Sequence, residues 1–134
     1  MATAGVDSAR FRTTLPLALL DAKDRHGAAK AIIDDPERTP LTYGRLILGA
    51  LILGRKLGEA TPGERRIGVL LPNVNGVAVT LFGLWFHGRT PVLLNFTAGP
   101  RNILSACETA ELKTVVTSRR FVDTAKLDEV IAAI

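Results

Sequence analysis

Side chains able to do covalent or metal chemistry are few in this sequence, and none sits at a productive spacing. Cys107 is the single cysteine, and His26 and His87 are the two histidines. A catalytic thiol needs a base held beside it, and a zinc site needs several ligands that converge. Cys107 alone can close neither a disulfide nor a cysteine-based zinc site, so it reads as a small buried hydrophobe. Both histidines stand at the ends of helix-like stretches, where an imidazole suits the negative end of a helix dipole. Asp34/Asp35 and Asp128/Glu129 are adjacent carboxylates. Neighbours in sequence do not face one another on a helix, so all four are expected to be solvated rather than paired for acid–base work. No catalytic residue and no metal ligand is expected.

Phosphate chemistry is equally unsupported by motif. There is no G-x-G-x-x-G and no G-x-x-x-x-G-K-[ST], the two glycine loops whose backbone amides cradle phosphates. The turn Asn73 to Gly76 does place backbone amides ahead of a helix N-terminus, a position that can hold an anion. No cation accompanies it, and a plain connecting turn is expected. No cofactor-binding residue is expected in the chain.

Polar chemistry must therefore come from where the elements end. Thr14 to His26 predicts a short amphipathic helix, with Pro16 in its first turn and Gly27 as its stop. Ala29 to Asp34 suits a strand closed by Asp-Asp-Pro, and a polar hairpin-like passage follows from Glu37 to Thr42. Thr42 is placed as the N-cap of a helix from Tyr43 to about Leu57. Within it Ala50, Gly54 and Gly58 fall four apart, a stripe of small residues that lets a neighbour approach closely. Arg66 to Leu71, Thr90 to Leu94 and Lys113 to Thr117 read as buried strands. Gly76 to His87, Arg101 to Glu111 and Phe121 to Ile134 read as helices by apolar period.

Strand alternating with helix from Arg66 onward is the pattern of a parallel sheet with right-handed crossovers. The expected fold class is α/β: three layers, α/β/α, around a mainly parallel sheet, in one domain spanning 14–134 after a flexible segment 1–13. In open parallel sheets, ligands sit beyond the carboxyl ends of the strands. That rule selects Asn73 after the first strand, Asn95 and Thr97 after the second, and Thr117 and Ser118 after the third as substrate-proximal candidates.

Composition narrows the partners. The chain of 134 residues is 47% hydrophobic and 5% aromatic with a net charge of +4, but its cations are scattered pairs, such as Arg65/Arg66 and Arg119/Arg120, interrupted by acids. A nucleic-acid surface needs clustered cations, so no nucleic-acid partner is expected. A reducing, cytoplasmic setting fits the lone cysteine. Met1 to Arg12 lacks the parts of a secretory signal. The apolar run Leu46 to Gly54 falls far short of the ~20 residues that span a bilayer. Its apolarity on most sides would nonetheless suit shallow contact with a membrane.

From Leu41 onward the string resembles the start of an AMP-binding domain of the acyl-CoA synthetase superfamily. LTYGRL at Leu41 to Leu46 and GERRIGVLLPN at Gly63 to Asn73 are general to that superfamily. GLWFHGRTPVLLNFTAG at Gly83 to Gly99 and SACETAELKTVVTSRRF at Ser105 to Phe121 are narrower, and resemble the acyl-acyl carrier protein synthetase half of bifunctional lysophospholipid acyltransferase/synthetases. The resemblance implies a fold, an incomplete N-terminal subdomain of an adenylate-forming enzyme, and a parent reaction. There a fatty acid is joined to AMP from ATP, with Mg²⁺ and cations stabilising the phosphate charge, and a phosphopantetheine thiol then displaces AMP. The implied partners are the rest of the parent synthetase, a fatty acid, and acyl carrier protein or CoA. The implied location is the cytoplasm, at the inner face of the cytoplasmic membrane. The family's phosphate loop, later acidic motifs and C-terminal lysine have no counterpart in these residues. The chain is therefore expected to be an inert piece of that enzyme. The competing readings are a piece of a free-standing acyl-CoA synthetase, and a non-enzymatic α/β module that binds a partner or self-associates.

Overall fold

Hydroxyl caps open the two longest helices of the N-terminal half. In the computed structural model, which describes residues 12–35 and 40–134, the Thr14 side chain accepts from the Leu17 N–H and starts α1, Leu15–His26. Thr42 accepts from the Arg45 N–H and starts α2, Tyr43–Ala60, which runs past the Leu57 end expected from sequence. Between them β1 (Ala31–Ile33) and β2 (Leu41–Thr42) pair antiparallel. Most of the expected flexible segment 1–13 and part of the Glu37 to Thr42 passage lie outside the described residues.

Then come β3 (Arg66–Val69), α3 (Asn75–Phe86), β4 (Thr90–Leu93), a 3₁₀ turn (Phe96–Ala98), α4 (Pro100–Thr109), β5 (Val115–Val116), α5 (Arg119–Ala125) and α6 (Asp128–Ala133). β3 is central, with β4 and β5 parallel on its two sides. The chain thus steps one way from β3 to β4 and back across β3 to reach β5. Right-handed crossovers in opposite directions put their helices on opposite faces. The apolar residues follow that geometry. Ile67 and Val69 pack with Leu57, Val77, Leu81 and Leu84 from α2 and α3. Leu70, just past β3, packs on the other side with Ile103 and Cys107 of α4, Phe121 of α5, Leu127 between α5 and α6, and Val130 of α6. The three-layer α/β/α expectation stands, with the antiparallel β1–β2 pair as an addition.

Four sequence expectations change. The strands are shorter than read: β3 stops at Val69 and β5 is two residues. The single helix expected from Phe121 to Ile134 is two, broken where Lys126 adopts a left-handed conformation at φ 53° and Leu127 N–H returns to Val122 carbonyl. Of the small-residue stripe, Gly54 lies against α3 while Gly58 faces open space. Asp35, expected to be solvated, is 7% exposed, and its carboxylate accepts the Asn75 N–H at 3.4 Å at the start of α3. Expected solvation holds for Asp128 and Glu129, which are exposed in the first turn of α6.

The closest helix contact explains a glycine pair. A side chain at Gly54 would strike the Gly83 carbonyl, and one at Gly83 would come within 2.9 Å of the Ala50 carbonyl. The backbones of α2 and α3 can meet here because neither carries a Cβ. At the far end of the crossing Arg89 donates to the Thr61 and Gly58 carbonyls at 3.1 and 3.4 Å, satisfying carbonyls at the α2 C-terminus that lack helical partners.

Candidate functional site

The carboxyl ends of β4, β3 and β5 lie side by side, in that order, along one edge of the sheet. Three loops leave this edge, and they carry all five residues selected from sequence. Asn73 occupies the middle loop, after β3, and is exposed. Asn95 and Thr97 follow β4, where the Asn95 Oδ1 accepts from both the Thr97 N–H at 3.0 Å and the Thr97 hydroxyl at 2.7 Å. Ser118 follows β5 and its Oγ accepts the Phe121 N–H at 3.2 Å, capping α5. Thr117, one residue earlier, has a buried hydroxyl with no hydrogen-bond partner. A buried polar group left unpaired costs roughly 1–3 kcal/mol, which makes this oxygen, among the five selected residues, the one that a further group would satisfy.

The loop after β4 meets the helix after β5 although the two strands do not pair. Phe96, in the loop after β4, packs edge-on against Phe121 of α5, with ring centroids 5.1 Å apart at 89°. Phe121 is buried and Phe96 is 37% exposed. This contact spans the end of β3 and was not foreseen. The signal available was an aromatic residue standing among turn formers in Asn95-Phe96-Thr97-Ala98-Gly99.

Next to this edge the anion position at the start of α3 is taken from within. The Asp35 carboxylate lies there, supplying the negative charge that a helix N-terminus favours, so the turn serves as a connection. The histidines stay structural. His87 Nδ1 lies 3.0 Å from the Gly83 carbonyl, within the last turn of α3, and the His26 ring stacks on Tyr43 with centroids 6.2 Å apart. Cys107 is buried in the α4 side of the core, and burial pushes its thiol above the ordinary value of 9.0, with the Glu108 charge adding to the effect.

The edge therefore offers amide and hydroxyl groups, able to orient a polar ligand but not to move its protons. Among the described residues no three His, Cys, Asp or Glu side chains gather as a metal centre. A triphosphate with its Mg²⁺ needs convergent cations and acids, and the five edge residues do not fit it; no step through ATP or Mg²⁺ is assigned to this chain.

A central strand with parallel neighbours on both sides, each reached through helical crossovers, and polar loops at the carboxyl edge define the class: a doubly wound α/β fold around a parallel sheet. The family model for the AMP-binding enzymes matches residues 19–134, and the chain belongs to that family, whose members use ATP and Mg²⁺. The structure superposes on VinN in complex with 3-methylaspartate with a TM-score of 0.75 at 22% identity, covering 90% of this chain and 33% of that one. A benzoate CoA ligase from Burkholderia xenovorans LB400 gives 0.71 at 21% identity, covering 89% and 24%. An acyl-CoA synthetase from Brucella canis gives 0.66 at 24%, covering 84% and 22%. The chain thus spans from about a fifth to a third of the length of these structures, and what it shares with them is the fold. It is an adenylate-forming ligase family segment, carrying the parallel sheet of that domain.

Proposed function

We propose that this chain is the scaffold portion of a ligase that activates a fatty acid as its acyl-adenylate and passes the acyl group to acyl carrier protein for lysophospholipid reacylation. The reaction class follows from family membership over residues 19–134, the observation that carries the proposal. The finer reading is supported by the resemblance of Asn95–Gly99, Ser105–Cys107 and Thr117–Phe121 to acyl-acyl carrier protein synthetases. In the first step a carboxylate oxygen attacks the α-phosphorus of ATP and pyrophosphate leaves. In the second the phosphopantetheine thiol attacks the acyl carbon and AMP leaves. This segment contributes the β4-β3-β5 edge. Asn73, Asn95, Thr97, Thr117 and Ser118 stand near the substrate there, with Thr117 the strongest because its hydroxyl alone is buried and unpaired. The rest of the synthetase supplies the phosphate-handling groups, and the enzyme works in the cytoplasm, at the inner face of the membrane.

A CoA acceptor is the second reading, favoured by the likeness to a benzoate CoA ligase and an anthranilate CoA ligase. The test is pyrophosphate exchange from ATP by the full gene product, given a long-chain fatty acid and then either acyl carrier protein or CoA. We expect exchange by the full product, none by residues 1–134 alone, and a higher kcat/KM for acyl carrier protein. A preference for CoA selects the second reading. Absence of fatty-acid-dependent exchange removes both and leaves a non-enzymatic module that binds a partner or self-associates.

A further inference from the structure

We propose that the outer face of α2 is a docking surface for an anionic lipid bilayer. α2 is apolar on two sides. Its inner side, Leu46, Ile47, Ala50 and Gly54, is buried. Its outer side presents Leu48, Leu51 and Ile52, which are 60%, 45% and 53% exposed and fall within one turn of each other. A soluble helix normally turns polar side chains to water, so three adjacent aliphatic residues there call for a cover.

Charge selects the cover. Arg45 lies one turn before the aliphatic group and Arg55 and Lys56 one turn after it, all exposed. The single acid of the helix, Glu59, is engaged by Arg55 at 3.1 Å, and no described residue pairs with Arg45 or Lys56. An aliphatic centre flanked by cations is the arrangement with which a helix lies in the headgroup region, its side chains reaching roughly 5–10 Å inward while lysine and arginine stay at the phosphates. No described helix is long and apolar enough to cross a membrane, so the contact is peripheral. A second copy fits less well. A two-fold contact through this face would set the cations of one protomer against those of the other, and three side chains fall short of the ~800 Å² per partner that a stable dimer buries. The inference rests on the membrane location proposed above and names the surface that would serve it, but it does not depend on which thiol accepts the acyl group.

The test is co-sedimentation of the full gene product, in which the rest of the synthetase would cover the α2 face if that were its role, with vesicles of phosphatidylcholine alone, or of phosphatidylcholine with phosphatidylglycerol. We expect binding to the anionic vesicles and little to the neutral ones. Arg45→Gln with Lys56→Gln should lower the partition coefficient about 25-fold, about five-fold for each cation lost near an anionic surface. Leu48→Gln with Ile52→Gln should lower it roughly ten-fold or more by removing aliphatic area, with an unchanged circular dichroism spectrum because both positions are exposed. Three results would overturn the proposal: no binding to anionic vesicles, binding that neither double variant weakens, or a concentration-dependent dimer in sedimentation equilibrium that Leu48→Gln with Ile52→Gln dissolves.

Discussion

Gly54→Ala tests the claim that α2 and α3 pack backbone to backbone. Within a helix, alanine should gain about 1 kcal/mol over glycine. Here the new methyl would sit 2.5 Å from His87 Nδ1 and against the Gly83 carbonyl, atoms already joined to each other at 3.0 Å. A flexible side-chain end could swing away, but a helix carbonyl cannot. The two helices must separate, loosening the packing of Ala50, Leu46 and Ile47 against α3. Overpacking of this kind costs about 1–3 kcal/mol and occasionally more, and contact with backbone places it at the top of that range. After the propensity gain, the net loss should be about 2 kcal/mol, which for a chain of this size lowers Tm by roughly 8 °C. Gly58→Ala is the matched control. It lies in the same helix with nothing within 4 Å of the added methyl, so it should raise stability by about 0.5–1 kcal/mol. Urea and thermal unfolding of the two variants measure both effects. If Gly54→Ala unfolds at or above the parent midpoint, or if Gly58→Ala falls as far, the close crossing is not what sets these positions.

Three further outcomes follow from single residues. Lys126→Gly should stabilise by about 1 kcal/mol in urea unfolding, because a left-handed conformation at φ 53° costs an L-residue roughly 1–2 kcal/mol that glycine does not incur. Asp35→Ala should lose about 1–2 kcal/mol, as charged helix N-caps do, while Asp35→Asn, which keeps an acceptor oxygen, should lose less; equal losses would deny the carboxylate its place at the start of α3. Burial holds the Cys107 thiol above its ordinary 9.0, so the folded state favours the neutral form. The stability this contributes is complete below the unfolded thiol's value and is lost as pH rises from there through the raised folded value. A Cys107→Ala variant should therefore lose less stability than the parent over that alkaline window, and native Cys107 should react with a disulfide reagent far more slowly than the unfolded chain does.

How much of the fold was legible divides by the range of the forces involved. The helix start at Thr42 was readable as a hydroxyl cap because cap and capped amide are three residues apart, whereas Thr14, which caps α1 in the same way, was read only as the beginning of a helical stretch. The alternation of strand and helix was readable because the apolar period is local. The break between α5 and α6 was not, since Lys126 takes the left-handed position that glycine usually marks, and Glu111 does the same after α4 at φ 54°. Asp35 was misread for a different reason. Its partner, the Asn75 N–H, is 40 residues away, and nothing in an Asp-Asp-Pro string distinguishes a solvated turn from a carboxylate that caps a distant helix. Gly54 and Gly58 likewise share a stripe in sequence, and the position of α3 alone separates them.

The candidate site was legible as an edge but not as a set of roles, because turn-building and ligand-binding draw on the same residue types. Asn95 and Ser118 were selected for lying beyond strand ends, and both spend an acceptor oxygen on their own loops, Asn95 on Thr97 and Ser118 on Phe121. Their sequence neighbourhoods alone cannot say whether such an oxygen is free, since side-chain to backbone bonds of this kind are common wherever a strand gives way to a helix. Thr117 differs from Ser118 by one position and by burial: its hydroxyl is buried without a partner, while the exposed serine accepts the Phe121 amide. A buried hydroxyl without a partner is a costly arrangement to keep in a packed sheet edge. It persists at the one place where the open-sheet rule puts a ligand, which is why Thr117 rather than its better-bonded neighbours carries the weight of the edge.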